Sequence, residues 1–176
     1  MIVSGSLAGA LALTVIAAGS ANAVDTTTTF TVNSGSISIS APESANLGNA
    51  APGAAITAQL GAVTVTDERA LLTATWTLSV SSTAFTTGGG TPAETVATTS
   101  VGYWSGPATA TTGSATFVPG QAATGNQVSL SSERVAFSVT AGVGNNSLTF
   151  NPTAVVNVPA SAVGGVYTGT VTHSLG

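Results

Sequence analysis

The sequence predicts an all-β protein, an antiparallel β-sandwich of roughly eight to ten short strands in two sheets. Three observations carry this expectation. In Leu71–Ser81, apolar Ala74, Trp76, Leu78 and Val80 alternate with Thr73, Thr75, Thr77, Ser79 and Ser81, the period of a strand with one buried and one hydroxyl-covered face. The chain holds 30 threonines and 21 glycines, with turn signals at regular intervals, the composition of short strands joined by tight loops. Beyond the apolar N-terminal stretch no segment offers a helical spacing of useful length.

The N-terminal stretch reads as a secretory signal. Leu7 to Ala18 supplies an apolar run and Ala21-Asn22-Ala23 a small-x-small cleavage site, although Met1-Ile2-Val3 brings no Lys or Arg. The run is too short to span a bilayer, which needs about 20 residues. The expected organisation is therefore a signal helix at residues 1–23 and one sandwich domain at residues 24–176, a length for one such domain rather than two. There is no cysteine, so neither disulfides nor lipidation of a cysteine contribute, and the core alone holds the domain together. With no later apolar run long enough to span and no sorting tail after the last strand, the mature chain is expected to be secreted, or held at the cell surface non-covalently. The two arginines and six acids give a net charge of −4, and Val135 to Gly176 carry none of them. A weakly acidic, charge-poor surface offers no footprint for nucleic acid or anionic lipid. It suits packing against a polymer or against other copies of the chain.

Taken in order, Thr29–Val32 and Ser36–Ser40 read as a hairpin across Asn33-Ser34-Gly35. Ala41 to Gly53 is turn-rich. Ala55–Leu60 and Ala62–Thr66 read as strands broken near Gly61, with Val63 and Val65 on one side and Thr64 and Thr66 on the other. Asp67-Glu68-Arg69-Ala70 is expected to turn the chain into the Trp76 strand. There Asp67 and Arg69 form an ion pair which, if exposed, contributes about 0.2–1 kcal/mol and shapes the turn rather than holding the fold. A Gly- and Pro-bearing loop, Thr86–Pro92, precedes a strand at Thr95–Trp104. Gly106 to Gly113 reads as a low-complexity loop, with Ala115–Val118 pairing back. Gln127–Leu130 and Val135–Thr140 follow, the latter with Val135, Phe137 and Val139 on one face. Asn145-Asn146 turns into Ser147–Phe150. After Thr153–Val158, the final strand Val166–Leu175 puts Tyr167, Val171, His173 and Leu175 on one face and Thr168, Thr170 and Thr172 on the other.

Chemistry is sparse. With no Cys or Lys, the sole imidazole at His173 and no serine in a Gly-x-Ser-x-Gly setting, no catalytic residues are assigned. Asp25, Glu43, Asp67, Glu68, Glu94 and Glu133 are too scattered to read as a metal site, and no cofactor is expected. A small secreted hydrolase needs a pocket that brings His173 near two carboxylates. The adjacent Tyr103 and Trp104 must point to opposite faces of their strand. One enters the core, and the other either offers a platform for sugar or polymer, or is covered by a neighbouring loop. These two are the candidate ligand-binding residues.

The run Val63-Thr64-Val65-Thr66-Asp67-Glu68-Arg69-Ala70 followed by Trp76-Thr77-Leu78 resembles the first half of the WxL domain family. There a V-x-D-x-R segment precedes the first Trp-x-Leu motif. Val158-Pro159-Ala160 and Tyr167-Thr168-Gly169-Thr170-Val171-Thr172 resemble that family's ending, with His173-Ser174-Leu175 where a second Trp-x-Leu is expected. The resemblance implies an Ig-like sandwich of bacterial surface proteins, export, and non-covalent attachment to cell wall, with peptidoglycan, another envelope polymer or other surface proteins the expected partners. Asp67, Arg69, Trp76, Leu78, Tyr167, His173 and Leu175 are its motif residues here. The expected function is thus a secreted, non-catalytic, wall-associated protein; the alternatives are a self-assembling surface subunit and, third, the hydrolase.

Overall fold

A computed structural model describes residues 26–176 of the chain; the expected signal segment lies outside them. The architecture is all-β and antiparallel, a sandwich with twelve strands among the described residues rather than eight to ten. In chain order they are β1 (Ile37–Ser40), β2 (Ala55–Gln59), β3 (Val63–Ser82), β4 (Phe85–Thr86), β5 (Thr95–Val96) and β6 (Val101–Trp104). Then come β7 (Ala108–Ser114), β8 (Phe117–Pro119), β9 (Val128–Ser129), β10 (Arg134–Phe150), β11 (Thr153–Asn157) and β12 (Val171–Leu175).

The centre is a long ribbon of β3 against β10, from Val63 opposite Phe150 to Val80 opposite Arg134. β1 and β12 flank it on the β3 side, pairing the two ends of that strand. β7 and β8 flank it on the β10 side. A second sheet, in the order β2-β11-β6-β9, forms the other layer, and β4 pairs with β5 alone. Val63, Val65, Trp76, Leu78 and Val80 from β3, with Phe137, Val139, Leu148 and Phe150 from β10, meet Val101 and Tyr103 of the second sheet in one core. As the alternation predicts, Ala74, Trp76, Leu78 and Val80 are all buried.

Several local expectations are corrected. Asp67–Ala70 is not a turn, because β3 runs through it. The inward residues are Val63, Val65 and Asp67 before this point and Ala74, Trp76, Leu78 and Val80 after it, so the phase of alternation slips by one. Ala70 sits at φ 53° there, the left-handed backbone that lets a strand bend rather than end. β10 slips at the same level, with register shifts between Val139 and Asn146. Asn145-Asn146 therefore lies within a strand, not in a turn. An L-residue is strained at positive φ, so Ala70→Gly is expected to raise stability by about 0.5–1 kcal/mol. The readout is a higher denaturant midpoint at unchanged slope.

Asp67 and Arg69 do pair, but not on an exposed turn. The Asp67 carboxylate is 1% exposed. Arg69 donates to it from Nε and Nη2, both at 2.8 Å, and from its backbone N–H at 3.1 Å. Nη2 also donates to the Thr75 carbonyl at 3.2 Å, which ties together the two sides of the bend. The guanidinium hydrogen bond holds the Asp67 carboxyl below its usual range, against the opposing effect of burial.

Elsewhere, Thr29–Val32 forms no strand, and β1 pairs with β3 instead of closing a hairpin. Gly106–Gly113 is largely strand β7, not a loop. Thr95–Trp104 is split into β5 and β6 by a 3-10 turn, Thr98–Ser100. Val135 is exposed rather than aligned with Phe137 and Val139, because a bulge separates Val135 from Phe137. The last strand starts at Val171 rather than Val166, although its predicted half-buried and exposed faces alternate as expected from Tyr167 on.

Candidate functional site

Tyr103 and Trp104 part as adjacent strand residues must. Tyr103 is fully buried, so it is no surface platform. Its hydroxyl lies 3.0 Å from His173 Nε2, and the two rings are 5.8 Å apart. His173 in turn meets Phe150 edge-on at 6.0 Å, and Phe150 meets Phe137 at 4.7 Å. Trp104 is half-buried; its six-membered ring lies close to Gly106, and its Nε1 is enclosed without a partner among the described residues. Trp104 is thus partly covered, with the chain at Gly106 against its ring, and partly exposed.

The concave surface lies elsewhere. A cleft of about 870 Å³ runs between Glu43–Ala50 and the segment Ala162–Thr170. Ile56 of β2, Val156 of β11, Val96 of β5 and Phe85 of β4 contribute an aliphatic and aromatic floor; Ser44, Asn46, Asn49, Tyr167, Thr168 and Thr170 bring hydroxyls and amides. Among the described residues Glu43 is its only charged lining residue. One wall is held rigidly. Tyr167 places its hydroxyl 3.1 Å from the Ala93 carbonyl and 2.9 Å from that of Val163, and the Val163 N–H donates to Ala93 at 3.0 Å. Thr86 and Thr168 exchange both backbone hydrogen bonds. Glu94 accepts from the Thr91 hydroxyl and N–H at 2.7 and 3.0 Å, closing the short turn before β5. Those bonds hold its carboxyl below the usual range.

A smaller cavity of about 170 Å³ adjoins the cleft and is lined by His173, Val63, Leu60, Phe85, Pro42 and Glu43 among others. Among the described residues Glu43 is the one carboxylate that shares this lining with His173. The motif residues Asp67, Arg69, Trp76, Leu78 and Leu175 lie away from both concavities, in the sheet bend or against the core. Tyr167 and His173 alone of that set reach them. Sequence reasoning missed Phe85 and the Glu43–Ala50 wall: the second shows only as a turn-rich stretch, and the first stands beside a loop with no alternating neighbours. Among the described residues no cluster of His, Cys, Asp and Glu is arranged to hold a metal ion, and no helix is long and apolar enough to cross a membrane.

Burial pushes the His173 imidazole down to about 4 and the Tyr103 phenol upward. An unfolded chain with His173 near 6.5 takes up a proton that the folded chain refuses. Stability is therefore complete above pH 6.5 and declines by up to about 3 kcal/mol as pH falls from 6.5 to 4. In His173→Phe this limb of the melting-temperature profile is expected to flatten. A wild-type profile flat across that window would place His173 in water.

No family model, no curated protein and no solved structure matches this chain.

Proposed function

We propose that this is a secreted, non-catalytic protein of the cell surface or wall that holds an uncharged envelope polymer, peptidoglycan glycan being the leading candidate, without a covalent link. The observation that carries this reading is the cleft beside Tyr167. Its volume is within the range of ligand sites, and its apolar floor with a rim of hydroxyls and amides suits the alternating apolar and hydroxyl faces of a sugar chain. A nearly charge-free lining favours a neutral ligand over a phosphorylated or nucleic-acid one. The likeness of Val63–Ala70 and Trp76–Val80 to the first half of the WxL domain supports the same reading. Purified cell walls are expected to retain the protein above an unrelated β-sandwich. Asn49→Trp, which fills the cleft from an exposed position, is expected to release it. Equal retention of the protein and the control sandwich would overturn the proposal.

A further inference from the structure

Among the described residues the free edge of β7 is the longest that carries neither charge nor proline; β2 and β12, also edge strands without either, have five residues each. Strands with open edges are usually blunted by charge, proline, bulges or shortness. β9 has two residues, β1 has four and is followed by Pro42, and β8 ends in Pro119. β7 has seven residues, Ala-Thr-Ala-Thr-Thr-Gly-Ser, all exposed, with neither charge nor proline; its only irregularities are register shifts against β10 on either side of Ala110–Thr112, with Gly113 at φ 77°. It pairs with β10 on one side only.

The core layer also runs out at this strand. Thr111 stands opposite Leu148, which is fully buried, yet Thr111 is itself exposed. Thr112 stands opposite Ser147 on the other face, with their hydroxyls 2.7 Å apart. A strand added here would present one face, beside Thr109 and Thr111, to an uncovered shelf next to the core and the other to Ala110 and Thr112.

The same chain carries a segment with that two-faced pattern. Thr26–Val32 reads Thr-Thr-Thr-Thr-Phe-Thr-Val, is uncharged, and forms no strand. Phe30 and Val32 share one side in extended backbone and are 90% and 72% exposed, while Thr29 and Thr31 take the other side. It is as long as β7.

We propose that Thr26–Val32 of a second copy adds to the free edge of β7 as a further strand, joining copies of this chain by β-augmentation. Main-chain hydrogen bonds supply the attachment, and Phe30 and Val32 fix the register, because a slip of one residue would turn both away from the shelf. The proposal is independent of polymer binding at the cleft, so wall retention and self-association fail separately.

Sedimentation over a concentration series tests it. The protein is expected to associate reversibly. Phe30→Asp with Val32→Asp is expected to weaken association by roughly 100-fold, with an unchanged melting temperature because both side chains are exposed. Thr111→Lys is expected to do the same from the accepting side; Thr109→Lys replaces it if that variant does not fold. The two kinds of variant, each monomeric alone, are expected to form one-to-one dimers when mixed, since one keeps the edge and the other the segment. A protein that stays monomeric throughout, association that survives the Phe30 and Val32 changes, or variants that fail to complement each other would each overturn the proposal.

Discussion

Trp76→Ala is expected to lower the free energy of unfolding by about 3–5 kcal/mol, a large share of what holds a domain of this size together. Trp76 is 5% exposed in the middle of β3, opposite Val139 on β10. Its ring lies 6.4 Å from that of Phe117, which belongs to the short flanking strand β8. Truncation would thus leave a void bounded by three strands whose backbones are fixed by the ladder, where little collapse can relieve it. Trp76→Phe sharpens the test. The indole Nε1 is buried without a hydrogen-bond partner among the described residues, so phenylalanine gives up ring area but also removes an unsatisfied donor. Its loss is expected to stay under about 1.5 kcal/mol. Chemical denaturation of the three proteins checks the order; a Trp76→Ala protein that unfolds with the parent would remove Trp76 from the core.

The second large effect belongs to Asp67. Asp67→Ala is expected to destabilise by about 1.5–3 kcal/mol, the range for losing hydrogen bonds to a charged group, because the Arg69 side chain left behind is 29% exposed and can take up water. Three donors from Arg69 lose their acceptor, and the guanidinium that links to the Thr75 carbonyl loses its other anchor. Asp67→Asn keeps the shape and one acceptor oxygen, so it is expected to cost less. The depressed carboxyl pKa means that the folded chain holds fewer protons than the unfolded one in acid. Its contribution is present above the unfolded carboxylate value and is lost as pH falls through the folded one. This limb lies below the one set by His173, and Asp67→Asn is expected to remove it while leaving the His173 limb intact. Loss of both limbs together would show that acid unfolding begins elsewhere.

Where hydrophobic alternation is unbroken, the sequence was a sound guide. Val63 to Thr66, Ala74 to Ser81 and Val171 to Leu175 have the expected faces, because burial on one side of a strand demands a period of two. It misled wherever the chain changes phase without ending. A charged quartet beside Ala70 looks like a turn, and only tertiary pairing with β10 makes it a bend within one strand. Val135 has the same cause, a bulge that no local residue announces. The Ala/Thr/Gly run of β7 reads as a loop because edge strands bury little and leave no hydrophobic mark. Of the candidate site, the shared face of Tyr167, Val171, His173 and Leu175 follows from strand parity. The cleft does not, since its walls are assembled from turns distant in sequence.

The pairing of β3 with β10 also constrains how the molecule comes to exist. Residue 63 meets residue 150, and residue 80 meets residue 134, so the central ribbon has no local turn from which to zip. β3 waits for β10, and its last register with β12 waits for Leu175. A search over such distances places folding in the slow range of single domains, roughly milliseconds to seconds. While the chain emerges, its N-terminal half has β3 without its main partner, an open strand with Leu72 and Trp76 accessible. Until β10 and β12 have been made, β3 has only β1 to pair with and the central ribbon cannot close.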